Sequence, residues 1–122
     1  MEEFIKIFQG LNRAHGVTYV DRKGADGQKI KGKSFVQRDM VTEKMWHNHL
    51  NGIEPSLGII PINEDNECRW GCIDVDKYTL DHKQIIIKVK QLGVPLSICR
   101  SKSGGAHIFL FTRLCPSKTN AR

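Results

Sequence analysis

The chain lacks any apolar run approaching the roughly 20 residues that a membrane span requires, and it lacks the basic, then apolar, opening of an export signal. Met1-Glu2-Glu3 leads instead into an amphipathic segment, so a cytoplasmic location is expected and a membrane partner is not. Cysteine is sparse. Cys68, Cys72, Cys99 and Cys115 would suffice for two disulfides in a secreted protein, but without an export signal they read as free thiols or ligands. Acidic residues are in deficit: 13 Asp plus Glu face 19 Lys plus Arg, and the resulting net charge of +6 favours a polyanionic partner such as nucleic acid or nucleotide. Internal repeats and low-complexity segments are absent as well.

What is present is the composition of one globular domain, 39% hydrophobic and 26% charged over 122 residues. A chain of this length buries on the order of two thirds of its unfolded surface, so it needs neither disulfide nor metal merely to fold. Phe4, Ile7, Phe8 and Leu11 fall at helical spacing and predict a helix over Glu3 to Leu11, packed as core by that stripe. Val17 to Val20 and Ser34 to Val36 flank a run rich in Gly and Lys (Gly24, Gly27, Gly32; Lys23, Lys29, Lys31, Lys33), a hairpin with a basic tip. Thr42 can cap a helix running to Asn51, with Met45, Trp46, His49 and Leu50 inward and Gly52 ending it. His47 and His49 lie two apart on different helical faces and make a poor metal pair, while His15 and His82 carry no further signal.

Leu57 to Ile62 reads as an apolar strand, Asn63 to Glu67 as a turn and Arg69 to Asp76 as a second strand, together a hairpin. Asp81 to Gln91 reads as a helix with Ile85, Ile86, Val89 and Leu92 on one side and Gly93 as its stop; strands follow at Pro95 to Cys99 and Ala106 to Thr112. The second half is thus expected to be a sheet with helix on one face. Ser117 or Thr119 looks like the start of a further helix, which suggests the front part of a longer catalytic domain, or a split or shortened form of one.

Two constellations carry chemistry. In Cys72-Ile73-Asp74-Val75-Asp76 a period of two puts both carboxylates on one face of a strand end. Like charges held that close disfavour the fold unless a cation is shared, so the pair suits a divalent metal site of the kind that serves nucleotidyl transfer. Solvated turn carboxylates are the plainer alternative, and a third acid would complete the cage. In Cys99-Arg100-Ser101-Lys102-Ser103-Gly104-Gly105-Ala106-His107, a strand end runs through a basic, hydroxyl-rich loop and two glycines into a strand histidine. Gly104 and Gly105 let backbone amides approach an anion, Ser101 and Ser103 can donate hydroxyls, and Arg100 and Lys102 supply charge. The Walker spacing is absent, which excludes a P-loop. His107 shares a strand face with Phe109 and Phe111 and is placed to donate to a phosphate oxygen.

This order of features resembles the archaeo-eukaryotic primase superfamily. Trp70 to Tyr78 and the run Arg100 to Phe111 most resemble the primase-polymerase domains of phages and of TOTE conflict systems, and Phe8-Gln9-Gly10-Leu11, His49-Leu50-Asn51-Gly52 and Gly58 to Ile62 resemble that group's leading segments. The resemblance implies an α+β fold: an antiparallel or mixed RRM-like sheet with packed helices over 57–122, preceded by a small α/β unit over 1–56. It implies template-directed synthesis from nucleoside triphosphates by a two-metal mechanism, with Mg²⁺ or Mn²⁺ as cofactor, single-stranded DNA as template and a bacterial or phage-infected cell as setting. A helicase or other replication module could accompany it. Asp74 and Asp76 fall on the first motif, as catalytic and metal-binding residues, and His107 falls on the histidine of the second. Arg100, Lys102 and Ser103 are looser nucleotide-binding matches, and Gly105 occupies a small position where many members carry serine. The third, later acidic motif has no match, so the 122 residues alone are expected to be inactive.

Two other readings compete. A non-catalytic RRM-like module would stack single-stranded bases on the aromatic strand, although Asp74 and Asp76 would repel its phosphates. A sugar transferase could use Asp-x-Asp to hold a nucleotide diphosphate, but it has no need of the basic glycine loop. Zinc on cysteine is disfavoured by spacing: Cys68 and Cys72 are four apart along one strand, and Cys99 and Cys115 lie in other segments.

Overall fold

The first helix, α1 (Glu2–Ile7), carries Glu2 and Glu3 in its first turn and Lys6 in its last, the arrangement its dipole favours. In the computed structural model, which describes residues 1–77, 79–101 and 103–116, this helix ends four residues before Leu11. The cause is a backbone contact: the Leu11 N–H donates to the Ile60 carbonyl at 2.8 Å, and Gly10 sits so close to that carbonyl that a Cβ would collide with it. The stripe is therefore not the core expected of it. Phe4 and Ile7 remain 40% and 44% exposed, and the buried side chains of this region are Ala14, His15, Val17 and Trp46.

Strands β1 (His15–Tyr19) and β4 (Lys33–Gln37) pair antiparallel from His15↔Gln37 to Tyr19↔Lys33. Between them β2 (Arg22–Lys23) and β3 (Lys29–Ile30) form a two-stranded ribbon, so the expected hairpin exists and its basic tip is itself paired. The Asp21 carboxylate closes the ribbon's base by accepting from the Gly32 N–H at 2.6 Å. Helix α2 (Glu43–Leu50) is capped as its sequence predicts, with Thr42 Oγ1 accepting from the Met45 N–H at 3.3 Å. His49 Nδ1 accepts from the Leu57 N–H at 3.2 Å, and His15 Nδ1 lies 3.1 Å from the Asp39 carbonyl, so both rings are occupied in holding the fold.

The strand at Leu57 corrects the expected pairing. β5 (Ser56–Gly58) stops at Gly58 and joins β1, giving the sheet order β4-β1-β5, and it makes no hairpin with the next strand. Gly16 and Gly58 face each other across this pair, and a Cβ on Gly16 would stand 3.3 Å from the Gly58 Cα, so two glycines permit the close approach. Asn63 then builds the turn, its Oδ1 accepting from the Asp65 and Glu67 N–H groups at 2.9 and 3.0 Å, while Asn66 takes a left-handed φ of 57°. The chain divides into compact units at Met1–Glu67 and Cys68–Arg122, so β5 belongs to the first unit and not to the second as expected.

In the second unit, which β6 (Glu67–Val75) enters at its second residue, β6, β7 (Leu96–Arg100) and β8 (Ala106–Pro116) form one sheet of order β6-β8-β7, with α3 (His82–Leu92) packed on β7. The strands joined by α3 thus flank a third strand, a split β-α-β arrangement, and β8 runs antiparallel to β7. Asp81, expected as the first residue of the helix, is instead the cap of α3, accepting from the Lys83 and Gln84 N–H groups, and Gly93 ends it at φ 66° as the sequence predicts. The fold is α+β with antiparallel sheets. Among the described residues no helix is long and apolar enough to cross a membrane. The helix start expected at Ser117 or Thr119 lies outside the described residues.

Candidate functional site

The sheet of the second unit decides which motif residues meet. β8 is its central strand, so a residue near its start has neighbours on both sides: Asp74 on β6, and Cys99, the register partner of His107, on β7. His107 Nε2 lies 3.3 Å from Asp74 Oδ1, with both side chains open to solvent. Two motifs 33 positions apart in sequence thus come together through strand order. Asp76 follows the end of β6 and is exposed.

The same face continues in aromatic rings. Phe109 meets His107 edge-on at 6.1 Å and Trp70 of β6 at 6.2 Å, and Phe111 stacks on Phe109 at 5.7 Å with 18° between planes. The strand alternation expected for His107, Phe109 and Phe111 is therefore present. Cys72, one strand period before Asp74, has its thiol pushed above the ordinary value by partial desolvation, then by the Asp74 and Cys99 charges, against the lowering effect of a hydrogen bond with the Ile108 backbone. Cys72 and Cys99 are free thiols. Among the described residues no group of three His, Cys, Asp or Glu is arranged to hold a metal ion.

The loop from Arg100 to Ala106 is a tight turn between β7 and β8. The Gly104 N–H donates to the Ser101 carbonyl at 3.1 Å and the Ser101 N–H to the Gly105 carbonyl at 3.0 Å, with Gly104 at φ 93°. The Gly104 amide is thus spent inside the turn and is not offered to an anion, as the glycine pair had suggested. Ser101 and Ser103 hydroxyls lie 3.3 Å apart, and Arg100 is exposed beside them. Lys102 lies outside the described residues. Gly105 is buried, and a Cβ there would collide with the Val75 carbonyl of β6, so its missing side chain serves the packing of the loop against the Asp74 strand.

One residue passed over in the sequence belongs here. His82, the first residue of α3, places Nε2 2.9 Å from the Gly105 carbonyl. No local pattern could have revealed it, because the two residues are 23 positions apart and the contact depends on where α3 crosses the sheet. By contrast, a cleft of about 480 Å³ between α1 and α2, lined by Lys6, Gln9, Thr42, Glu43 and Trp46 among others, contains none of the motif residues.

Residues 11–122 match the family model described as the archaeo-eukaryotic primase domain of TOTE conflict systems. Neither the curated proteins nor the solved structures compared with the chain contain a match. The chain belongs to the archaeo-eukaryotic primase domain family of TOTE conflict systems.

Proposed function

We propose, with membership of the archaeo-eukaryotic primase family as premise, that this chain binds a nucleoside triphosphate with a divalent cation at the Asp74–His107 face, for template-directed nucleotidyl transfer on single-stranded DNA. The observation that carries the reading is the 3.3 Å approach of His107 to Asp74, which joins the two motifs on one face. An exposed contact of this kind contributes at most about 1 kcal/mol to a fold even when both groups are charged, so stability alone gives little reason for it.

In this reading Asp74 and Asp76 hold Mg²⁺ or Mn²⁺. Their donor chemistry fits, since Mg²⁺ takes one or two carboxylates and completes its shell with water and substrate phosphates. The ion, when bound, supplies charge neutralisation at the triphosphate and activation of an attacking hydroxyl. His107 donates a hydrogen bond to a phosphate oxygen, Arg100 and Lys102 contribute positive charge, and Ser103 offers a hydroxyl. Gly105 contributes by bringing the loop against β6.

The test is Mn²⁺-dependent binding of a nucleoside triphosphate by equilibrium dialysis. Asp74→Asn/Asp76→Asn should abolish the metal dependence, and His107→Ala should weaken binding by about tenfold or more, the loss of a hydrogen bond to a charged group. Metal-independent binding indifferent to all three changes would overturn the assignment. The stacked Phe109 and Phe111 rings favour a second reading, a non-catalytic single-strand binder. Oligonucleotide binding that is salt-sensitive and unaffected by Asp74→Asn/Asp76→Asn, with no triphosphate binding, would select it.

A further inference from the structure

The glycine loop reaches the site through a single peptide unit, Gly105–Ala106. Ala106 is fully buried, and the next residue is His107, facing Asp74. Three segments converge on Gly105. The Ser101 N–H donates to its carbonyl from within the loop, the Val75 carbonyl of β6 occupies the space a side chain would need, and His82 Nε2 stands 2.9 Å from the same carbonyl oxygen from α3. The acceptor is a carbonyl, so Nε2 must carry the hydrogen.

Helix geometry gives no reason for histidine at this position. Asp81 already caps α3 through the Lys83 and Gln84 N–H groups, and histidine is a mediocre helix former that adds nothing to that cap. What His82 adds is a side-chain donor of fixed length, delivered from the rigid first turn of a helix. The carbonyl it holds belongs to the Gly105–Ala106 peptide unit, which joins the loop carrying Ser103 to the strand carrying His107.

We infer that His82 is a positioning residue for the phosphate-contacting loop, acting through its Nε2–H on the Gly105 carbonyl. The inference rests on the nucleotide reading above for its effect on ligand affinity, but its effect on the loop is independent of that reading. Glutamine can place an amide N–H near the position of Nε2, whereas asparagine reaches only the position of Nδ1. His82→Gln should therefore restore what His82→Ala and His82→Asn remove.

The test has two readouts on the whole chain. In ¹H–¹⁵N spectra without nucleotide, the amides of Ser103 and Gly105 and the ring of His107 should shift in His82→Ala and His82→Asn and return towards the wild-type positions in His82→Gln. In Mn²⁺-dependent ATP binding, the alanine and asparagine variants should lose about tenfold in affinity and the glutamine variant less than about threefold, as expected for one hydrogen bond lost or kept. Mn²⁺ binding without nucleotide should be unchanged throughout, since His82 touches neither carboxylate. Should His82→Ala fail to fold, the contrast between asparagine and glutamine carries the same test. Loop resonances indifferent to all three variants, or a glutamine variant as perturbed as alanine, would overturn the positioning role whatever the nucleotide does. A wild-type chain that binds no ATP while its loop responds in the pattern above would overturn only the nucleotide reading.

Discussion

Two imidazoles frame the glycine loop, and their partners separate their roles: His107 faces the carboxylate of Asp74, and His82 faces a carbonyl. A carboxylate partner leaves His107 able to turn its N–H towards another anion, whereas a buried glycine carbonyl gives His82 a fixed structural target. Asp74 also acts on its own strand. Partial desolvation and the nearby Asp74 charge both raise the Cys72 thiol, so its thiolate should form only above the ordinary thiol range. In a Cys68→Ser/Cys99→Ser/Cys115→Ser background, the rate of alkylation by iodoacetamide should titrate at higher pH than a cysteine in a short peptide. Asp74→Asn should bring that curve part of the way down, and a curve that does not move would mean the carboxylate is remote from the sulfur. The sign for stability follows: because the folded thiol holds its proton more tightly than the unfolded one, its contribution is complete at neutral pH. It is lost as pH rises through the unfolded value towards the folded one. The pairing of Asp74 with His107 was open to inference from two motifs on neighbouring strands, but the contact of His82 was not, because it depends on a helix crossing.

The elements whose signals are local are the ones the sequence made legible. Thr42 before α2 and Gly93 after α3 act within four residues, and each begins or ends its helix where expected, while Asp81, read as the first residue of α3, caps it. Strand partners depend on distant residues and were harder to read. β5 was expected against β6, yet the facing pair Gly16 and Gly58 brings it onto β1, and α1 stops early because Gly10 and Leu11 must reach Ile60. The cap of α3 has a consequence beyond helix stability, since His82 is the next residue. Asp81→Ala should cost about 1 kcal/mol, the usual loss for a carboxylate cap, read as a lower urea midpoint at constant slope. It should also weaken triphosphate binding by loosening the helix start that aims His82. Asp81→Asn, which keeps an acceptor, should recover most of both. A variant that loses stability but binds triphosphate normally would show that the first turn of α3 does not steer the loop.

At the scale of the whole molecule the net charge of +6 lies in the second unit, since 10 of the 13 Asp and Glu fall in the first, yet the first unit carries a local cluster of lysines. Around the ribbon of β2 and β3, Lys23, Lys31 and Lys33 are exposed, a cluster of like charges that favours a polyanionic partner. Arg22 is engaged by Glu54 at 3.4 Å. The ribbon does not depend on these lysines for its shape: the Gly24 N–H donates to the Gln28 carbonyl at 2.7 Å, the Gly27 N–H to the Gly24 carbonyl at 3.0 Å, and Asp26 accepts from the Gln28 N–H at 3.1 Å. Charge can therefore be removed without unfolding the turn. If the ribbon tracks the phosphates of a single strand, each lysine releases counterions on binding, and the slope of log K against log salt is about −0.7 per contact. Lys23→Ala/Lys31→Ala/Lys33→Ala should then reduce the slope for an oligothymidylate by about 2 units, measured by fluorescence anisotropy across salt concentrations. Triphosphate affinity at the Asp74–His107 face should stay as it was. A full slope in the triple variant would move the strand's phosphates to other cations, and a parallel loss of triphosphate binding would mean that these lysines do not act on the single strand alone.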